Sequence, residues 1–177
     1  MQITTLTPEQ RAAIPAHVQR WIRVGPSTDS MDCKRAAEAV RACYTLAGLP
    51  APRIEFAQSF QTAPLAARVD IRSTVLTAVR GEVLDAVGGE VGDAVWSGQY
   101  DADTCAVLRF CTDVLGVKLP TATRARLDAW CAVVESCGGV YWGRDSATIV
   151  DRPEVFERDS DGRITAVVYR DGWKVQV

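Results

Sequence analysis

The sequence predicts an α+β fold: a mostly helical part over residues 1–139, closed by a C-terminal antiparallel β-meander of three or four strands over residues 140–177. Two observations carry this. Through the first part, apolar residues recur every three or four positions between helix start and stop signals. After Gly138-Gly139 the apolar period shortens to two, and Asp-Gly turn pairs punctuate it. A single domain, residues 1–177, is expected from the length and from an ordinary globular composition, 47% hydrophobic and 24% charged.

Thr7-Pro8-Glu9-Gln10 reads as a helix start, because Thr can cap free backbone N–H groups, Pro fits the first helical position and Gln10 completes a capping box. Ile14, Val18, Trp21 and Ile22 then fall on one face, and Pro15 predicts a kink or two short helices. A second helix is expected from about Met31 to Leu46, ended by Gly48. Beyond Pro50-Ala51-Pro52, Arg53 to Ala57 alternates as a half-buried strand does. A lone strand needs a partner, and the C-terminal strands are the candidates to join it.

The segment from about 63 to 98 carries an internal repeat: valine every four residues at Val75, Val79, Val83, Val87, Val91 and Val95. A step of four residues on an α-helix overshoots one turn by about 40°, so the row winds slowly around the helix. The leading reading is one long helix packed against the protein's own core. The others are a helix that also offers this row as a self-association seam, and a set of broken or non-helical turns. Gly81, Gly88, Gly89 and Gly92 weaken a helix, and close approach of another backbone is their natural use.

Asp101 or Asp103 can cap a helix carrying Val107, Leu108, Phe110, Cys111, Val114 and Leu115, ended by Gly116. Thr121 caps another, Ala122 to Ser136, with Leu127, Trp130, Cys131, Val134 and Cys137 inward. Val140-Tyr141-Trp142, Thr148-Ile149-Val150, Val155 to Arg158, Arg163 to Arg170 and Trp173 to Val177 supply the strands, with turns at Asp159-Ser160-Asp161-Gly162 and Asp171-Gly172.

A formal net charge of −2, with basic residues scattered along the chain, offers no footprint for nucleic acid. No stretch is long and apolar enough to span a membrane, and no export signal is evident, so a cytoplasmic location is expected. Six cysteines then read as free thiols. Their tightest spacing is C-x5-C with His17 as the lone histidine, which argues against a metal site, and no cofactor is expected. Arg far outnumbers Lys and Asn is absent, the usage of a high-GC genome such as that of an actinobacterium or one of its phages.

Several short motifs occur in a fixed order. They are Leu6 to Gln10 with Ile14-Pro15, Ala36 to Val40, Gly48 to Pro52 with Ile54, and the valine tetrads. Asp151-Arg152-Pro153, Asp159 with Gly162-Arg163, and Tyr169 with Asp171-Gly172-Trp173 complete the order. In this order the chain resembles an uncharacterised bacterial and phage family with Gln-Leu-type tetrapeptide repeats and a C-terminal D-R-P, D-x-x-G-R, Y-x-D-G segment. The resemblance implies no particular activity. Here valine with Asp or Glu replaces the family's Gln-Leu, and Ile164-Thr165 stands where the family has Leu-His.

No Ser-His-Asp set, Walker loop or H-E-x-x-H stands in a suitable context. His17 reads as a surface or packed residue. The best polar cluster is Trp142, Arg144, Asp145, Asp151 and Arg152, with Tyr169 and Asp171 returning nearby. On the structural reading, which leads, Asp151 accepts turn hydrogen bonds and Arg152 pairs locally. On the functional reading Arg152 or Arg144 binds an anionic group, Trp142 and Tyr169 stack on a planar moiety, and Asp151 orients it or acts as a base. Two functions follow: a non-enzymatic interaction module of a phage or mobile-element accessory protein, docking on a host protein or on itself, or a small enzyme or binding protein for an anionic, nucleotide-like molecule.

Overall fold

The computed structural model describes residues 3, 5–63, 70–87 and 101–177. The chain divides into two compact units, one of residues 1–25 and 72–131 and the other of residues 26–71 and 132–177.

The first unit is helical. Helix α1 (Pro8–Val24) starts at the expected capping box: the Thr7 hydroxyl accepts from the Gln10 N–H at 3.3 Å, and the Gln10 side chain accepts from the Thr7 N–H at 2.9 Å. Pro15 lies inside this helix, which runs on as one element, so of the expected kink or two short helices the second does not occur. The buried face is rotated from the expected one. Trp21 is buried and Ile14 and His17 half-buried, whereas Val18 and Ile22 are exposed.

The next helix of this unit, α3 (Ile71–Ala86), carries Val75, Val79 and Val83, and Val87 follows it in a parallel bridge to Ile3, so the helix ends short of the expected 98. Residues 61–63 form turns, so the helix begins later than the expected 63. Val75, Val79, Val83 and Val87 are at most 2% exposed and face the core, while Val91 and Val95 lie outside the described residues. Fully burying one such side chain contributes about 1.5–3 kcal/mol, so the row is a main source of this unit's stability. Gly81 departs from expectation. Among the described residues a Cβ there would meet nothing within 4 Å, so none of their backbone approaches it; Gly88, Gly89 and Gly92 lie outside the described residues.

Helix α4 (Asp101–Arg109) runs into a π-helical turn, Phe110–Val114, and Gly116 follows at φ +75°. The widened turn keeps Cys111 and Thr112 inward. Helix α5 spans Thr121–Ser136, and the division between the units falls within it, after Cys131. Leu127, Trp130, Cys131 and Cys137 are buried as expected; Val133 takes the buried place expected of Val134.

In the second unit, α2 (Cys33–Leu46) is capped by Asp32, whose side chain accepts from the Arg35 N–H at 3.0 Å. The strands form two sheets. In the first, of order β1-β3-β2, β1 (Arg53–Ala57) runs parallel to β3 (Ser146–Val150), and β2 (Gly139–Trp142) pairs antiparallel with β3. The second is the C-terminal antiparallel meander, β4 (Val155–Arg158), β5 (Ile164–Val168) and β6 (Lys174–Gln176). The strand at 53–57 thus does join C-terminal strands, but through the 139–150 hairpin, which forms a sheet apart from the meander.

Gly138 and Gly139 follow the end of α5, and what lies against them leaves no room for a side chain. A Cβ on Gly138 would collide with the Asp151 carbonyl, and one on Gly139 would press on the Phe60 ring at 2.6 Å. Gly138→Ala is therefore expected to destabilise the fold by about 1–3 kcal/mol. Gly81→Ala, exposed in mid-helix, should stabilise it by about 0.5–1 kcal/mol. Denaturant unfolding of both variants checks the opposite signs.

Candidate functional site

The residues of the expected polar and aromatic cluster fall into three separate arrangements, all within the second unit. The first surrounds the exit of β3. The Asp151 N–H continues the β1 ladder by donating to the Ala57 carbonyl at 2.9 Å. Its Oδ1 accepts from the backbone N–H groups of Met31 (2.9 Å) and Arg152 (2.8 Å), and its Oδ2 from Arg170 Nε at 3.2 Å. Arg152, 8% exposed, donates to the Ser27 hydroxyl at 2.9 Å and to the Glu135 carbonyl. Arg170 also donates to the Thr28 carbonyl at 2.8 Å. Asp151 and Arg152 thus clamp the 27–31 loop and the end of α5 to the sheet, with donors and acceptors directed at backbone groups and at the Ser27 and Arg170 side chains.

The second arrangement is aromatic. Tyr169 stacks on Trp173 with centroids 5.2 Å apart and meets Phe60 edge-on, and Phe60 meets Tyr141 edge-on. Burial, first, and the neighbouring Tyr141 and Asp171 push the Tyr169 hydroxyl above its usual range. Asp171 lies in the turn before Trp173. Its carboxylate accepts from the Ser59 hydroxyl at 2.5 Å and from the Trp173 N–H at 3.0 Å, and the Ser59 bond holds it below the usual carboxylate range.

The third is Trp142 against Tyr44, with centroids 5.9 Å apart. The Tyr44 hydroxyl is directed at the carbonyls of Gly143 and Ser146, closing the β2–β3 turn in which Arg144 lies exposed. Adjacent residues of a strand point to opposite faces. Tyr141 shares the face of Phe60 and Tyr169, so Trp142 lies on the other. Trp142 and Tyr169 therefore cannot stack on one planar ligand, and the expected set is not brought together into a single pocket.

Two polar groups in the helical unit were not anticipated as sites. Arg72 Nε donates to Asp101 at 2.6 Å, and guanidinium nitrogens of both Arg72 and Arg80 lie at 3.4 and 3.2 Å from the Thr104 hydroxyl. Leu76 is buried four residues after Arg72 and four before Arg80, so both arginines share the spacing of a buried row. That phase was the available signal. Elsewhere the Cys105 thiol hydrogen-bonds Cys131, and Arg109, paired with Asp128 at 2.8 Å, contacts the Cys131 sulfur. The Cys131 bond and burial hold the Cys105 thiol far above its usual range, which makes it a poor nucleophile. Burial pushes Cys43 and Cys137 up to about 12 and Cys111 up to about 11. His17 Nε2 lies 2.7 Å from the Ala106 carbonyl, with its ring edge-on to Phe110, as a packed histidine. Among the described residues no His, Cys, Asp and Glu side chains cluster to hold a metal ion, and no helix is long and apolar enough to cross a membrane.

No family model, curated protein or solved structure matches the chain.

The clamp makes a contrast. Arg152→Ala should lower stability by about 1–3 kcal/mol, because it leaves the half-buried Glu135 carbonyl and Ser27 hydroxyl without their charged donor. Arg144→Ala, at an exposed turn, should stay within about 0.5 kcal/mol. Thermal and denaturant melts of the two variants compare them directly.

Proposed function

We propose that this protein is a non-enzymatic, cytoplasmic interaction module that docks an acidic, amphipathic segment of a partner protein on the outer face of α1. The observation that carries this reading is the rotation of that helix's buried face, which leaves an apolar stripe outside. Half-buried His17 points inward to a backbone carbonyl, while Pro15, Val18 and Ile22, spaced three and four residues apart, are exposed. Val18 and Ile22 keep 44% and 52% of their surface. The apolar stripe of a helix ordinarily faces the core, so an outward stripe at this spacing offers a surface for a partner.

Charge selects the partner. Arg11 and Arg23 are exposed at the two ends of this stripe, and Glu9 in the first turn is the one acid of the helix. An antiparallel second copy would set Arg11 against Arg23, so the chemistry favours a foreign segment with carboxylates flanking apolar residues. The valine row supports the same choice of surface by exclusion, since its described members are buried in the core.

A photo-crosslinking amino acid at Gln19, with a control at exposed Glu82 on α3, tests this in producing cells. The expected result is one product specific to position 19, mapping to an acidic, apolar segment and lost in a Val18→Glu/Ile22→Glu double variant. That variant should stay within about 1 kcal/mol of the parent, because both side chains are at the surface. Identical product patterns at both positions, or a position-19 product that survives the double variant, would overturn the reading.

A further inference from the structure

We propose that Arg72, Arg80 and Thr104 form a binding site for a phosphate group, independent of the α1 docking surface. Two guanidinium groups reach one hydroxyl: the terminal nitrogens of Arg72 and Arg80 lie at 3.4 and 3.2 Å from Thr104 Oγ1. Among the described residues one carboxylate pairs with them, Asp101, and it is engaged by Arg72 Nε at 2.6 Å. Arg80 forms no ion pair among the described residues, and its Nε is buried without a hydrogen-bond partner. A guanidinium has five N–H donors in a rigid fork, and Arg80 directs one of them to a hydroxyl. Burial, then the charge of Arg72, disfavours its protonated form, with Asp101 acting weakly the other way. A structural arginine in such surroundings ordinarily meets a carboxylate; this one is left with donors and positive charge in excess.

The geometry fits an oxyanion better than any other class of ligand. A phosphate placed at the fork accepts several N–H bonds at once and offsets the repulsion between the two cations. Access comes from the Arg72 and Asp101 side, where the side chains are 37% and 49% exposed. Thr104, 2% exposed on α4, fixes the distance between the arginines, which start from positions two turns apart on α3. The phosphate can be free or carried by a nucleotide, since the fork reads only the oxygens.

The test is titration of the full chain with inorganic phosphate, then with a nucleoside monophosphate, at constant ionic strength against chloride, read by calorimetry and thermal melting. Saturable phosphate binding that raises the melting temperature is expected. Arg80→Gln should abolish it, and Arg80→Lys, which keeps the charge but not the fork, should weaken it at least tenfold. Tighter binding of the nucleotide than of phosphate would identify the carried form, and equal binding the free form; either supports the site. The proposal is overturned if phosphate acts no differently from chloride, if Arg80→Lys binds as well as the parent, or if Arg80→Gln folds and still binds.

Discussion

Strand β3 is hydrogen-bonded on both sides, parallel to β1 and antiparallel to β2, and Ala147 to Val150 are all buried. An unpaired edge on so apolar a strand would leave N–H and C=O groups away from water, so both neighbours are obligatory. One of them, β2, is supplied by the adjacent hairpin. The other lies far upstream in the sequence, and a parallel pair needs such a long crossover. The β-containing unit therefore depends on a contact that cannot form until both parts of the chain are present. The register Arg53↔Ser146 to Ala57↔Val150 is extended at its ends by Arg53 N–H to Asp145 and Asp151 N–H to Ala57.

The role of Asp151 follows from that pairing. Once β3 leaves the sheet, its next residue must satisfy the Met31 and Arg152 amides, and a carboxylate does both with one oxygen while the other takes Arg170. The residues that looked most like chemistry are thus spent where the backbone changes direction. In the helical unit the opposite holds. Arg72 and Arg80 both reach the Thr104 hydroxyl while Asp101 pairs with Arg72, and α1 turns aliphatic residues outward. The proposed functions rest on these departures from ordinary core logic, not on the most conspicuous polar motif.

Local rules made much of the fold legible. The capping box at Thr7, the strand at Arg53 to Ala57, the inward set Leu127, Trp130 and Cys131, and the change of period after Gly139 all depend on neighbours in sequence, and all appear in the structure. Tertiary packing decided the rest. Pro15 is accommodated in an unbroken helix, and the rotation of α1 that turns His17 inward in place of Val18 depends on the Ala106 carbonyl and Phe110. The split of the C-terminal strands into two sheets depends on β1. The expected ligand set did not converge, because Tyr141 and Trp142 alternate across a sheet whose position periodicity alone does not give.

The parallel β1–β3 pairing can be observed directly by NMR of the full chain, through interstrand proton contacts together with amide exchange. The account expects contacts linking Ile54 with Ala147 and Phe56 with Ile149, and amides along β3 among the slowest to exchange. Contacts that instead place residues 53–57 beside β4 or β6, or free exchange throughout β1 and β3, would contradict it.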